Sequence, residues 1–418
     1  MSISLGLKKI KSSLYDPLYK NSFFLVLSRI LNMGAGFVFW VIAAKLYTVE
    51  DVGKATALLS SLGLIILLSR LGFDFSLIRF IAGSDKNQVF NTCLSITTAS
   101  TLGICLFYIV VDSFLPSPLL PGAAYAVLFT VVAILNSVSV LTGNMFWALR
   151  NAQHYLTQNI IMSLRLVLLF LLLNLHTFGI FLSMGICHGL ASLLGVFLLK
   201  VKGFKINFLE VSRPFLKKSL NFSLGNYFSN NLYEAPGLIL PIMVLHLLGE
   251  ANAAQYYISF MLGNLTIIIP AALSTSLFVE GSHERPLKEN VIKSGLAAYL
   301  SLLFCSFLIF FLGKDILGFI SKDYVKAFPL LRLVVLSNFF EVMLLIYIAV
   351  QNVRMKVRYN VKINLLRFVL ILGLGYFFIK KFYLLGVGWA LLVTYFFLTC
   401  IILFQIWREA AVKAETEN

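Results

Sequence analysis

Residues 294–313 read SGLAAYLSLLFCSFLIFFLG, twenty consecutive residues without a charged side chain. About 20 apolar residues in a helix cross the hydrocarbon core of a bilayer, so this stretch predicts a transmembrane helix. Eleven further apolar runs have similar lengths, and none alternates apolar and polar residues as a membrane β-strand does. Because backbone groups in lipid must be satisfied internally, we expect twelve spanning helices. The runs fall at 22–46, 54–80, 89–111, 122–148, 155–176, 178–200, 219–248, 251–279, 291–313, 328–352, 360–380 and 383–407.

The composition of the 418 residues agrees with this interpretation. Hydrophobic residues make up 59% and charged residues 12%, whereas about a quarter of a soluble domain is charged. The net charge of +16 comes from basic residues in loops between the runs, which is typical of membrane topology and not of a nucleic-acid-binding surface. The five cysteines lie within apolar runs and the five histidines are scattered, so we expect no disulfide framework, metal site or cofactor.

The distribution of lysine and arginine predicts the orientation. If the N-terminus is cytoplasmic, the cytoplasmic segments hold 22 basic residues and the outer segments hold seven. The positive-inside rule therefore places both termini in the cytoplasm. The basic start of the chain, residues 1–20, is expected to lie as an interfacial helix on that surface. The longest basic loop divides the chain into a lobe at 21–200, a linker at 201–218, a second lobe at 219–408 and a tail at 409–418.

The two predicted lobes resemble each other in sequence. Phe80 to Asp85 matches Phe278 to His283 at an offset of 198, Asn159 matches Asn360 at 201, and Arg165 matches Arg367 at 202. Three matches in the same order predict an internal duplication. Since each half has six spans, the second half re-enters with the same orientation, which predicts a parallel repeat about an axis along the membrane normal.

Charged side chains within spans are costly and are candidates for a transport path. Arg29 shares a helix face with Asn32 and Gly36. Arg165 and Arg367 occupy matching places in the two halves, and a pair of guanidinium groups would suit a phosphate or pyrophosphate. The alternative for all three arginines is extension of the side chain to the membrane interface. Arg70 is a further candidate; the alternative is an ion pair with Asp74, one turn later.

Two acidic residues lie at membrane depth and are candidates for ion coupling. Glu234 follows Asn226 and Asn230 at i+4 spacing, and Pro236 is expected to kink that helix just beyond them. Asn230 is, with Asn32, a candidate for substrate contact. A buried carboxylate favours protonation or a cationic partner, so a structural ion pair is the alternative. Glu341 in the tenth run is a second candidate in a weaker setting.

Two stretches resemble the polysaccharide-biosynthesis, or oligosaccharide flippase, family. Residues 43–55 read AAKLYTVEDVGKA and residues 69–80 read SRLGFDFSLIRF; they resemble the family's turn after the first helix and the end of its long second helix. The resemblance implies the fold of the multidrug/oligosaccharidyl-lipid/polysaccharide exporter superfamily, in which two six-helix bundles form a V around a cavity. It also implies that a polyprenyl-pyrophosphate-linked oligosaccharide is moved from the cytoplasmic to the outer leaflet of the cell membrane by alternating access. A cationic cavity with an arginine early in the first helix is characteristic of related flippases, and Arg29 resembles that arginine.

The expected partners are the lipid-linked oligosaccharide, membrane lipids and a coupling cation or proton, and the protein is expected to be a monomer without enzymatic activity. One alternative is a cation-coupled multidrug antiporter of the same fold, which would favour an acidic cavity. A second is a membrane glycosyltransferase that uses Glu50 and Asp51, although the outer loops are too short to hold an acceptor. A sugar/proton symporter is a third, but residues 83–86 match its usual loop poorly.

Overall fold

A computed structural model describes residues 17–81, 84–115, 118–281, 287–354 and 356–417. These residues form α-helices joined by short turns, and contain no strand. The first half of the chain contains α1 (Pro17–Leu46), α2 (Val49–Ser69), α3 (Phe73–Phe80), α4 (Lys86–Ser113), α5 (Ala123–Ala148), α6 (Ala152–Ser163), α7 (Arg165–Leu171) and α8 (His176–Val201). The second half contains α9 (Arg213–Leu248), α10 (Glu250–Asn264), α11 (Ile268–Gly281), α12 (Leu287–Ile320), α13 (Phe328–Val353), α14 (Val357–Phe382) and α15 (Leu385–Glu417).

Twelve helical segments among the described residues are long and apolar enough to cross a membrane, and each coincides with one predicted run. The prediction of an all-α protein with twelve spanning helices is therefore confirmed. The expected interfacial helix at residues 1–20 lies outside the described residues up to residue 16, and residues 17–20 belong to α1.

Two of the predicted runs are interrupted. The run 54–80 breaks after Ser69, because Leu71 (φ 48°) and Gly72 (φ 75°) adopt left-handed backbone conformations before α3 begins. Such conformations are common for glycine and rare for leucine, so this turn stores local strain. The run 155–176 divides at Leu164, and α7 begins with Arg165.

The contacts divide the chain into two units. Unit 1 comprises residues 1–47 and 61–227, and unit 2 comprises residues 48–60 and 228–418. The first part of α2 thus belongs to unit 2, which the sequence did not indicate. Two contacts explain it: a Cβ on Gly53 would lie 1.9 Å from the carbonyl oxygen of Glu250, and the Lys54 Nζ is 2.8 Å from Glu250 Oε1. The absence of a side chain at Gly53 lets the two backbones touch. The lobe boundaries drawn from the sequence stay a prediction.

A distinctive turn occurs once in each unit. His176 has φ 50° and ψ −133°, and Tyr383 has φ 52° and ψ −136°. Three residues after each lies a glycine, where a Cβ would come within 2.2 Å of the Leu172 oxygen for Gly179 and within 2.1 Å of the Phe378 oxygen for Gly386. This repeated geometry is structural support for the duplication that the sequence predicts.

Candidate functional site

Arg165 is a buried guanidinium within unit 1, with 5% of its surface exposed. It begins α7, directly after the break at Leu164. Its Nη2 lies 3.3 Å from both the main-chain oxygen and the side-chain Oδ1 of Asn32 in α1. Nη1 lies 3.3 Å from the sulfur of Met184 in α8, and the guanidinium carbon lies 5.7 Å from the centre of the Phe39 ring. The side chain therefore connects three helices of unit 1.

Arg367 is the corresponding buried guanidinium of unit 2, with 8% exposed. Its Nη1 donates to the main-chain oxygen of Tyr233 in α9 at 2.7 Å. Nε and Nη2 donate to the Tyr395 hydroxyl in α15 at 3.1 and 2.8 Å, and Nη2 lies 3.8 Å from Glu341 Oε1 in α13. The guanidinium also lies over the Tyr233 ring, 4.7 Å from its centre. Charge, hydrogen bonds and aromatic surface together compensate for burial of this cation.

The two arginines make the same contact with the first spanning helix of their own unit. Asn32 and Tyr233 are separated by 201 positions, and Arg165 and Arg367 by 202. Each guanidinium donates to the main-chain oxygen at the equivalent position. The sequence could indicate that the arginines correspond, but it could not indicate that both face a backbone carbonyl.

Arg29 and Asn32 lie one turn apart on α1. Arg29 is exposed, and its guanidinium carbon lies 5.6 Å from the centre of the Trp147 ring at the end of α5. Asn32 is half-buried beside Arg165. Trp147 looks like an interfacial anchor in the sequence, and its contact with Arg29 could be found only from the fold.

Arg70 forms an ion pair with Asp74. The Nη1 to Oδ2 distance is 3.0 Å, and the two residues flank the left-handed turn at Leu71 and Gly72. The structure thus contains the ion pair between Arg70 and Asp74 that the sequence offers as the alternative. About a quarter of the Arg70 side chain remains accessible, 23%.

The two candidate coupling carboxylates have different surroundings. Glu234 is exposed on α9 and Asn230, one turn earlier, is half-buried, whereas the side chain of Asn226 lies outside the described part. The Glu341 side chain is only 12% exposed and faces Arg367. Glu341 is thus the more enclosed of the two, and the role of either carboxylate in ion coupling stays a prediction. In the described ranges no group of three or more His, Cys, Asp or Glu residues could hold a metal ion.

Comparisons with known proteins agree with this architecture. The sequence model of a family described as "Polysaccharide biosynthesis protein" matches residues 18–265. No curated protein matches the chain. The chain is similar to an inward-facing multidrug resistance MATE family transporter of the MOP superfamily, with a TM-score of 0.71 and 16% identity over 94% of this chain and 99% of that one. It is also similar to the lipid II flippase MurJ in an inward closed conformation, with a TM-score of 0.68 and 14% identity over 92% of this chain and 87% of that one. At these identities the likeness shows the fold, and it confirms the predicted fold class.

Proposed function

Because the chain belongs to the polysaccharide biosynthesis protein family, we propose that it is a flippase for a polyprenyl-pyrophosphate-linked oligosaccharide. It moves this lipid from the cytoplasmic to the outer leaflet by alternating access, for assembly of a surface glycan. The spans and the structural likenesses support a multi-pass membrane protein with a transporter and flippase fold.

One observation carries the proposal. Arg29 lies one turn from Asn32 on α1, and the guanidinium of Arg165 lies 3.3 Å from the Asn32 Oδ1. Two positive charges therefore flank a single amide near one end of a spanning helix. The accessible guanidinium of Arg29 can bind phosphate oxygens in a bidentate fashion, and the buried guanidinium of Arg165 adds positive charge that offsets the negative charge of a pyrophosphate. An oligosaccharide lipid of this class has its anionic group where the apolar chain begins, which suits a cationic group at membrane depth.

The candidate residues have different roles in this function. The accessible polar groups of unit 1, Arg29, Asn32 and Arg70, contact the pyrophosphate and the first sugars. Asn230 is the accessible polar candidate of unit 2. Arg165 and Arg367 are buried and contribute positive potential, because each already donates to a main-chain oxygen within its own unit. Glu341 or Glu234 carries the coupling proton or cation. The protein acts as a monomer in the cell membrane with both termini in the cytoplasm and catalyses no covalent reaction.

Depletion of the protein in its host tests the proposal. We expect complete lipid-linked oligosaccharide to accumulate and to be accessible only from the cytoplasmic side. Arg29→Gln should fail to restore export at normal protein levels. Arg332→Gln is the matched control, because Arg332 is also exposed over aromatic rings, 5.0 Å from the centre of Phe310, and has no assigned substrate role. An unchanged lipid pool with a normal surface glycan would exclude the flippase.

A cation-coupled multidrug antiporter is the second candidate. The likeness to a structure described as a multidrug resistance transporter and the enclosed carboxylate of Glu341 favour it. Efflux of a cationic dye from a pump-deficient host separates the two functions. Efflux that is lost in Glu341→Gln and retained in Arg29→Gln would support the antiporter.

A further inference from the structure

We propose that Arg165 and Arg367 are duplicated positioning residues that hold the first spanning helix of each unit by a main-chain carbonyl. The inference concerns the conformation of α1 and α9, and it does not depend on which substrate is transported.

The contacted carbonyls lie where each helix is locally weak. In an α-helix the oxygen of residue i accepts from the N–H of residue i+4, so the oxygens of Asn32 and Tyr233 face Gly36 and Gly237. Glycine has no side chain to shield this oxygen and reduces helix stability by about 1 kcal/mol relative to alanine. A Cβ at Gly36 would lie 3.6 Å from Arg165 Nη2, so a large side chain there would occupy the space that the guanidinium uses.

Helix α9 is weakened further by two prolines, Pro236 and Pro241. Proline has no N–H, so the oxygens four residues earlier, at Leu232 and Gly237, lose their intrahelical donors. Proline breaks in spanning helices persist where neighbouring groups satisfy the backbone. Arg367 donates to the oxygen of Tyr233, one residue beyond Leu232, at 2.7 Å and so holds the helix beside the proline break.

Each guanidinium is held from the opposite side by other helices of the same unit. The Tyr395 hydroxyl accepts from Nε and Nη2 of Arg367, which leaves Nη1 directed at α9. In unit 1, the sulfur of Met184 in α8 lies 3.3 Å from Nη1 of Arg165, on a helix other than α1. A substrate phosphate could replace these contacts only by releasing α1 or α9, so the arginines are suited to fixing helix geometry.

Hydrogen exchange of the purified protein, read by mass spectrometry without substrate, tests the proposal. Arg165→Lys and Arg367→Lys keep the charge but lose the planar set of donors. We expect Arg165→Lys to accelerate exchange at least threefold in peptides from 29–40 and to leave 230–241 unchanged. Arg367→Lys should do the reverse, so each variant is the control for the other. Tyr395→Phe removes only a hydroxyl and should accelerate exchange at 230–241 by a smaller factor. This variant tests the same contact if Arg367→Lys does not fold.

Two results would overturn the proposal. Unchanged exchange in 29–40 and 230–241 in the lysine variants would show that the arginines do not hold these helices. A uniform rise over all peptides would show a general loss of stability without local positioning.

Discussion

Glu341 and Arg367 face each other within unit 2 with 3.8 Å between Oε1 and Nη2, while the Tyr395 hydroxyl is closer to the same nitrogen, at 2.8 Å. The tyrosine is therefore the direct hydrogen-bond partner, and the carboxylate balances the charge from a longer distance. Both charged side chains are nearly enclosed, so each is poorly solvated and depends on its neighbours to compensate its charge.

Removing the carboxylate should destabilise the protein strongly. Glu341→Gln leaves the buried guanidinium without its counter-charge, which costs about 3–5 kcal/mol for a buried pair. We expect a clear fall in the thermal unfolding midpoint of the purified protein. The double variant Glu341→Leu with Arg367→Met should recover part of the loss, because an apolar pair of similar volume needs no charge compensation although the contact with α9 is lost. Equal stability of Glu341→Gln and the wild type would contradict this account of the cluster.

The glycines of the repeated turn should be intolerant of a methyl group. A Cβ at Gly179 or Gly386 would overlap a carbonyl oxygen at 2.2 or 2.1 Å, and relieving such overlap costs about 1–3 kcal/mol. Gly179→Ala and Gly386→Ala should therefore lower the unfolding midpoint to a similar extent. Gly103→Ala and Gly373→Ala are matched controls with nothing within 4 Å of the added atom, and they should be neutral or stabilising. Tolerance of both turn variants would show that the two turns are not as close as described.

The spans can be located from the sequence because a run of about 20 apolar residues has few alternatives to a membrane helix. The sequence also relates Arg165 to Arg367, since a duplication leaves a nearly constant offset. The partners of these arginines depend on helix rotation and depth, which the pattern does not fix: Tyr395 lies 28 residues from Arg367. The sequence favours Glu234 as the acidic candidate because Asn230 precedes it by one turn, but the Glu234 side chain is exposed on α9. The carboxylate that faces Arg367 is that of Glu341. The break at Leu71 and Gly72 cannot be recognised in the sequence, because glycine is common in spanning helices and only the positive φ reveals the turn.

The basic linker should be released by loss of a single amide. Asn91 is buried at the start of α4, and its Nδ2 donates to the Lys205 oxygen at 2.8 Å and to Glu210 Oε2 at 2.6 Å. Its Oδ1 accepts from the Asn207 N–H at 3.2 Å. Asn91→Ala removes all three bonds, so we expect trypsin to cleave within 200–218 several times faster. Asn174→Ala, at an exposed position of unit 1, is the control and should leave cleavage unchanged. Equal cleavage of the wild type and Asn91→Ala would mean that other contacts hold the linker.

Neutralising Asp74 should change stability and substrate affinity in opposite directions. The ion pair with Arg70 at 3.0 Å spans the left-handed turn, and a hydrogen bond between charged groups contributes about 1.5–3 kcal/mol. Asp74→Asn should therefore lower the unfolding midpoint. If Arg70 contacts the pyrophosphate as proposed, substrate binding must weaken the ion pair between Arg70 and Asp74, and this lowers the affinity. In Asp74→Asn there is no ion pair to weaken. We then expect the half-saturating concentration of lipid-linked oligosaccharide in a reconstituted flipping assay to fall severalfold. Arg70→Gln separates the roles, since it removes the same ion pair but should raise the half-saturating concentration. If both variants lose stability and neither alters the half-saturating concentration, Arg70 stabilises the turn at Leu71 and Gly72 and does not contact the substrate.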